Sequence, residues 1–239
     1  QARSRHYLIF AMFMALNHQL LQQNGQTMSE ELHPLEEITS IFFVRHGHTP
    51  ATEMGLLYSD PKLELTTKGI SQAAAAAHYI GCLSPDVIVR GSAVRVAQSA
   101  APIEELLNKK AHIVDGFEEW QVGDWEGRTY LDIKKNDPDQ YHAWSADPIN
   151  NRPPKGESIA DLCSRIGEAL QALLANKDYA GKKICMVTHS GIIRSVLVHA
   201  LGMPVNNFWR LSIPTGSISR IDYSQNFATV HFTSNRPVT

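Results

Sequence analysis

Four short segments of the 239-residue chain concentrate groups able to handle an anion. They are Arg45-His46-Gly47-His48-Thr49; Ser92 followed by Arg95; Glu118-Glu119 leading into Gly123-Asp124-Trp125-Glu126-Gly127; and Thr188-His189-Ser190-Gly191. Glycine beside a histidine lets the backbone approach a ligand closely. Arginine gives charge-assisted, often bidentate bonds to phosphate oxygens. A neutral histidine can attack phosphorus and form a covalent intermediate, and a carboxylic acid can protonate the leaving alcohol. A helix starting near Gly191 would aim free N–H groups at the same place. The set suits a phosphoryl group. No P-loop lysine motif and no Gly-rich dinucleotide fingerprint is present, which argues against nucleotide hydrolysis by those machines.

Taken singly, each residue has a plainer reading. Arg45 and Arg95 alone would be surface or ion-pair arginines, and Glu119 a solvated loop carboxylate. Trp120 and Trp125 read as packing residues, and the remaining histidines as structural. The joint placement shifts the odds, and it depends on the elements between.

From residue 40 onward strands and helices alternate. Apolar runs at 41–44, 87–89, 113–114 and 184–188 read as strands, the first as one buried on both faces. Helices are predicted over 66–82 with Thr66 as cap, 93–109 with Ser92 as cap, 158–176 and 191–201. Residues 137–156 carry Pro138, Pro148, Pro153 and Pro154 and read as a loop with at most short helical pieces. Residues 217–223 and 228–232 read as a final hairpin around Gln225-Asn226. The alternation predicts one α/β domain with a mainly parallel sheet. In such a sheet ligands sit beyond the carboxyl ends of the strands. Each of the four segments follows a strand, so two histidines, two arginines and a carboxylate converge on one edge.

Composition removes other classes. Lys plus Arg total 22 and Asp plus Glu 24, a net charge of −2, which gives no global attraction for nucleic acid or an anionic membrane. Three scattered cysteines, Cys82, Cys163 and Cys185, make neither a disulfide framework nor a zinc ribbon. Residues 1–39 read as an N-terminal extension to a domain over 40–239. Beginning at Gln1, the sequence reads as a processed chain or a fragment, with Met28 as an internal start. The apolar run Tyr7–Leu16 is shorter than the about 20 residues a membrane span needs. It has the size and basic flank of a signal-peptide core but no Ala-x-Ala pattern follows, so a docked helix or an upstream extension, and a cytoplasmic location, are expected.

The ordered motifs resemble the histidine phosphatase superfamily, also called phosphoglycerate mutase-like. Arg45-His46-Gly47 matches its signature. Leu65-Thr66, Gly69 and Gln72-Ala73 match a helix start of the family, and Arg95 to Ala100 a later segment. Phe117, Glu119, Gly123 and Trp125-Glu126-Gly127 follow its acid loop. Gly156-Glu157-Ser158, Arg165 and His189 complete the series. The resemblance implies a three-layer α/β/α sandwich around a mainly parallel mixed sheet. It implies His46 as phosphorylated nucleophile and Glu119 as proton donor. Arg45, Arg95 and His189 would hold the transferring group, with Thr49, Thr52 and Ser190 as further phosphate or substrate contacts. Neither metal nor cofactor is implied, and the partner is a small phosphorylated substrate, with a homodimer compatible. The acid loop is similar to that of small-molecule phosphatases such as the alpha-ribazole phosphatases; the mutases have a Tyr-Gly pair after the acid. His48, Thr52, Arg90-Gly91-Ser92 and Ser190 depart from the usual residues.

Three other readings remain. His46-x-His48 at a strand end is a metal-ligand pattern in some barrel hydrolases, although the chain is short for an eight-fold barrel. Phosphoglycerate mutase-type transfer is another, and a phospho-ligand binder without catalysis is the third. Lys62, Lys134, Lys135, Arg152 and Lys155 are candidates for contacting a second anionic group, though most read as solvated charges.

Overall fold

The apolar run at 41–44 forms a strand because each face has a layer to fill. In the computed structural model, which describes residues 37–225 and 227–238, this strand is β1, Thr39–Arg45. Ile41 and Phe43 enter one apolar cluster, Phe42 and Val44 the other. The first cluster takes Leu162 and Ile166 from one helix and Ile193 and Val196 from the next; the second takes Ala76, Ile80, Val96 and Ile103. A sheet with a helical layer on each side results, the three-layer sandwich expected.

In chain order, β1 is followed by α1 (Pro50–Met54), α2 (Thr67–Leu83), β2 (Val87–Arg90), α3 (Val94–Leu107) and β3 (His112–Ile113). Then come a 3₁₀ turn (Gly123–Trp125), α4 (Tyr130–Asn136), α5 (Pro138–Ala146), α6 (Ile159–Ala175), β4 (Lys183–Thr188) and α7 (Ser190–Ala200). A second 3₁₀ turn (Val205–Arg210), β5 (Ile218–Tyr223) and β6 (Ala228–Asn235) complete the chain. Strand order is β3-β2-β4-β1-β5-β6. β1, β2, β3 and β4 pair in parallel, and β5 and β6 add an antiparallel edge. β1 and β4 are neighbours, so Arg45 lies opposite Thr188. That register brings the two histidine segments together.

Several expectations need correction. Ser92 is not the cap of α3. Ala93 holds that position without a side-chain bond, and the Pro61 carbonyl accepts from Val94 N–H at 2.8 Å instead. Thr66 does cap α2, accepting from Gly69 N–H. The stretch 137–156 contains α5, which Pro138 opens with its fixed φ. α4, capped by Thr129, and α1, closed by a Thr49–Thr52 capping box, lie outside the predicted helices. β1 begins at Thr39, inside the stretch read as extension. The Tyr7–Leu16 run and Met28 lie outside the described residues, as does Asn226 of the hairpin turn. Among the described residues no helix is long and apolar enough to cross a membrane.

Candidate active site

The loop after β1 is fixed by backbone contacts that the motif residues supply. His46 N–H extends the ladder to the Thr188 carbonyl at 2.9 Å. Gly47 N–H is received by Ser99 Oγ at 3.0 Å, and Ser99 donates in turn to the Arg95 carbonyl at 2.7 Å. His48 N–H reaches Gln72 Oε1 at 2.8 Å, and Leu65 N–H reaches Gln98 Oε1 at the same distance. The loop runs directly over the start of α2. A Cβ on Gly47 would sit 2.3 Å from the Gly69 carbonyl oxygen, so only glycine fits there. The glutamines and Ser99 of the motifs are therefore positioning groups for the loop that carries His46.

His46 is 5% exposed and packs edge-on against His189, their ring centroids 5.3 Å apart. Its Nδ1 lies 2.8 Å from the Gly47 carbonyl. A carbonyl can only accept, so Nδ1 carries the proton. Burial, helped by His189, Arg45 and Arg95, pushes the His46 pKa well below its usual 6.5. A neutral ring protonated at Nδ1 leaves a lone pair on Nε2. His189 is also pushed well below 6.5, by burial first and then by Arg95 and Arg45. Its Nδ1 is buried, with no hydrogen-bond partner among the described residues.

These two shifts predict an acid limit on stability. Each histidine is neutral when folded and protonates near pH 6.5 when unfolded. Below that pH the unfolded chain binds more protons than the native one, so stability falls with pH. The contribution is complete above about 6.5 and declines by about 1.4 kcal/mol per pH unit for each histidine until the folded group titrates. Urea unfolding at stepped pH should show this slope, and orthophosphate should oppose it. An identical pH dependence in the His46→Ala variant would refute the assignment for His46.

Backbone carbonyls anchor the two expected arginines. Arg95 is 2% exposed and donates from Nη1 to the Asp60 carbonyl at 2.7 Å, while Arg45 donates to the carbonyl of Ile213. Burial pulls the Arg45 guanidinium down to about 10, with Glu119 opposing, and Arg95 shifts the same way for the same reasons. Among the described residues neither forms an ion pair, and an anion would offset the burial of both charges.

Glu119 approaches the same space from the other side. Its Oε1 accepts from Trp120 N–H at 3.0 Å and from Gly191 N–H at 3.2 Å, so the carboxylate sits on the N-terminus of α7. A Cβ at Gly191 would lie 2.4 Å from that oxygen, so a larger residue there would displace the Glu119 carboxylate. Ser190 Oγ lies 3.5 Å from Oε2. The acid loop is tied down by Arg165, which donates to Glu157 at 2.6 Å and to the carbonyls of Gly116 and Glu118. Glu118 itself is exposed beside Arg165, away from the cavity.

A cavity of about 270 Å³ opens over these groups. Arg45, His46, Thr49, Thr52, Arg95, Glu119 and Ser190 line it; His189 lies behind His46. Thr49 and Thr52 hydroxyls are 2.7 Å apart and bond each other, so their first role is to cap α1. His48 does not join: its Nδ1 is 3.0 Å from Thr66 Oγ1. None of Lys62, Lys134, Lys135, Arg152 and Lys155 lines the cavity, and Arg152 and Lys155 pair with Asp161 and Asp124 on the surface. Trp125 is packing, against Trp144, as expected. Trp120 packs edge-on to Trp209 but also faces the cavity.

Sequence reasoning misses Arg194, Tyr130, Phe208 and Trp209, which form much of the wall. Arg194 was findable: it stands one helical turn after Ser190, hence on the same face of α7. The aromatic wall was not, because the 3₁₀ turn at 205–210 has no periodic pattern.

The opposite wall, Leu57 and Tyr58, is held by Glu126. Its carboxylate accepts from Ser59 N–H at 2.8 Å, from Asp60 N–H at 3.1 Å and from the Ser59 hydroxyl. Asp60 supplies the carbonyl that anchors Arg95. Glu126→Gln puts an amide donor where an acceptor is needed, at a cost of about 1–3 kcal/mol. We expect a lower melting temperature and a kcat/KM reduced on the order of tenfold as Arg95 loosens. Unchanged kcat/KM in a destabilised variant would confine Glu126 to stability.

An α/β sandwich whose strand ends gather His46, two arginines and a carboxylate over one cavity, with His189 packed against His46, is the arrangement the ordered motifs lead one to expect. The model of the histidine phosphatase superfamily (branch 1) matches residues 41–236, and the chain belongs to that family. It is similar to the adenosylcobalamin/alpha-ribazole phosphatase of Salmonella typhimurium, 29% identical over 83% of this chain and 97% of the relative. It also resembles the metal-independent phosphoserine phosphatase of Arabidopsis thaliana, 28% identical over 70% of this chain and 71% of the relative. The crystal structure of the alpha-ribazole phosphatase from Shigella flexneri superposes with a TM-score of 0.76 at 28% identity, covering 84% of this chain and 98% of that one.

Proposed function

We propose that this chain hydrolyses a small-molecule phosphomonoester through a phosphohistidine on His46, without a metal. One observation carries the reading: a buried His46 in the cavity with Nδ1 on the Gly47 carbonyl, which leaves Nε2 for a substrate, packed against His189 and beside Arg45 and Arg95. In the first step Nε2 attacks phosphorus, the P–O bond to the alcohol breaks, and the alkoxide takes its proton from Glu119. Arg45, Arg95 and His189 hold the phosphoryl oxygens, and the N-terminus of α7 with Ser190 adds donors. In the second step Glu119 takes a proton from water, the water oxygen bonds to phosphorus, and the P–N electron pair returns to Nε2 as orthophosphate leaves.

The residues favour a metal-free route. Among the described residues no three His, Cys, Asp or Glu side chains lie together as metal ligands, and His48 faces Thr66. The test is turnover of 4-nitrophenyl phosphate with and without chelator. Equal rates are expected; loss restored by magnesium or zinc would overturn the proposal. In the same assay 3-phosphoglycerate primed with bisphosphoglycerate should be hydrolysed with little isomer interconversion. Efficient interconversion would make the chain a mutase.

A further inference from the structure

Of the cationic groups around the cavity, Arg194 is the one the proposed chemistry does not use. It extends from the second turn of α7, and helical side chains lean back toward the N-terminus, here toward the site. Its Nε donates to the Leu211 carbonyl at 2.8 Å, which fixes the guanidinium. The guanidinium lies 5.5 Å from the Trp209 ring centre and 5.6 Å from that of Phe208, cation–π contacts with both rings. Among the described residues the Leu211 bond is its only hydrogen bond, and no carboxylate comes within ion-pairing distance. Burial pulls its pKa down, with Glu119 only partly opposing. A fixed, partly buried guanidinium with its outer N–H groups uncommitted, lining a ligand cavity, is a receptor for an acceptor group.

The phosphoryl group is already served by Arg45, Arg95, His189 and the helix terminus. Arg194 lines the same cavity close enough to Arg45 to lower its pKa, and it stands beside Tyr130, Phe208 and Trp209, side chains that would meet the alcohol half of a substrate. We propose that Arg194 determines specificity by binding a second anionic group, a carboxylate class above all, carried on the alcohol half of the phosphomonoester. This rests on the phosphatase reading and names the kind of substrate within it.

A matched pair tests it: 3-phosphoglycerate and glycerol 3-phosphate differ by a carboxylate in place of a hydroxymethyl group. The wild-type chain should favour the carboxylate in kcat/KM on the order of 10- to 100-fold, the value of one charge-assisted bidentate contact. Arg194→Met should bring the two close to parity, mainly by weakening the binding of the carboxylate substrate, so that its KM rises while kcat changes little. Arg194→Lys keeps the charge but not the fork, so its ratio should fall between; it carries the test if the methionine variant does not fold. Turnover of 4-nitrophenyl phosphate by the same variants reports on the intact site, and should fall far less than that of 3-phosphoglycerate. A wild-type ratio near one, or a ratio that neither variant moves, overturns the role of Arg194. Equal losses on all three substrates in a folded variant would also overturn it, by placing Arg194 on the phosphoryl group or on Glu119. If the wild-type chain hydrolyses none of the three, the phosphatase reading itself falls.

Discussion

His46→Ala is expected to abolish turnover of every phosphomonoester, with a loss on the order of 10⁴-fold or more, as when a covalent nucleophile is removed. The argument is specific to this ring. Its Nδ1 proton is committed to the Gly47 carbonyl, its burial favours the neutral ring, and among the described residues no other histidine lines the cavity. His189 is buried edge-on against the His46 ring and, in the proposed step, serves the phosphoryl oxygens, so it is badly placed to substitute as nucleophile. Rapid quench with ³²P-labelled substrate should give acid-labile, base-stable label on the wild-type chain and none on the variant. Orthophosphate should still raise the variant's melting temperature, since both arginines remain. Residual turnover within about tenfold of wild type would exclude His46 as nucleophile.

Glu119→Gln should separate substrates by their leaving groups. General acid catalysis is worth on the order of 10²–10⁴-fold when the leaving group is strongly basic. An alkyl phosphate expels an alkoxide and needs the proton; a nitrophenyl phosphate expels a weak base and needs it far less. The phosphorylation step should therefore slow greatly for alkyl and little for nitrophenyl substrates. The variant should also accumulate phospho-His46, because the same carboxylate activates water in the second step. Single-turnover kinetics resolves the two steps. Equal slowing of phosphorylation on both substrates would remove Glu119 from the acid role. Glu118, exposed beside Arg165, is poorly placed to inherit it.

The parts legible in sequence are those whose signal is local. Continuous apolar runs mark β1 and β4, because strands covered on both faces show no alternation. Thr66 is readable as a cap because an N-cap needs only its own side chain and the following turn. His46 and His189 are readable because each directly follows such a strand. Ser92 fails for the opposite reason: the group that receives the first N–H of α3 is the carbonyl of Pro61, which lies before α2 in the chain. Short helices such as α1 and α4 carry less than two turns of periodicity. Arg194 is legible from its spacing to Ser190, but its neighbours Phe208 and Trp209 are not, because no local pattern shows where residues 205–211 fold back.

The two halves of the cavity are built from different kinds of chain. The groups aimed at the phosphoryl oxygens hang from the register of β1 and β4 and from helix starts locked to them. Much of the wall around the alcohol half comes from irregular segments, 56–60, clasped by Glu126, and the 3₁₀ turn at 205–210, with Tyr130 and Arg194 added from helices. Changes in the second set leave strand pairing untouched. Such a division lets lineages diverge in diet while the cutting tool is inherited intact. It also marks Trp209, exposed where its neighbour Phe208 is buried in the core, as the place where a selection experiment for new substrates should find its first hits.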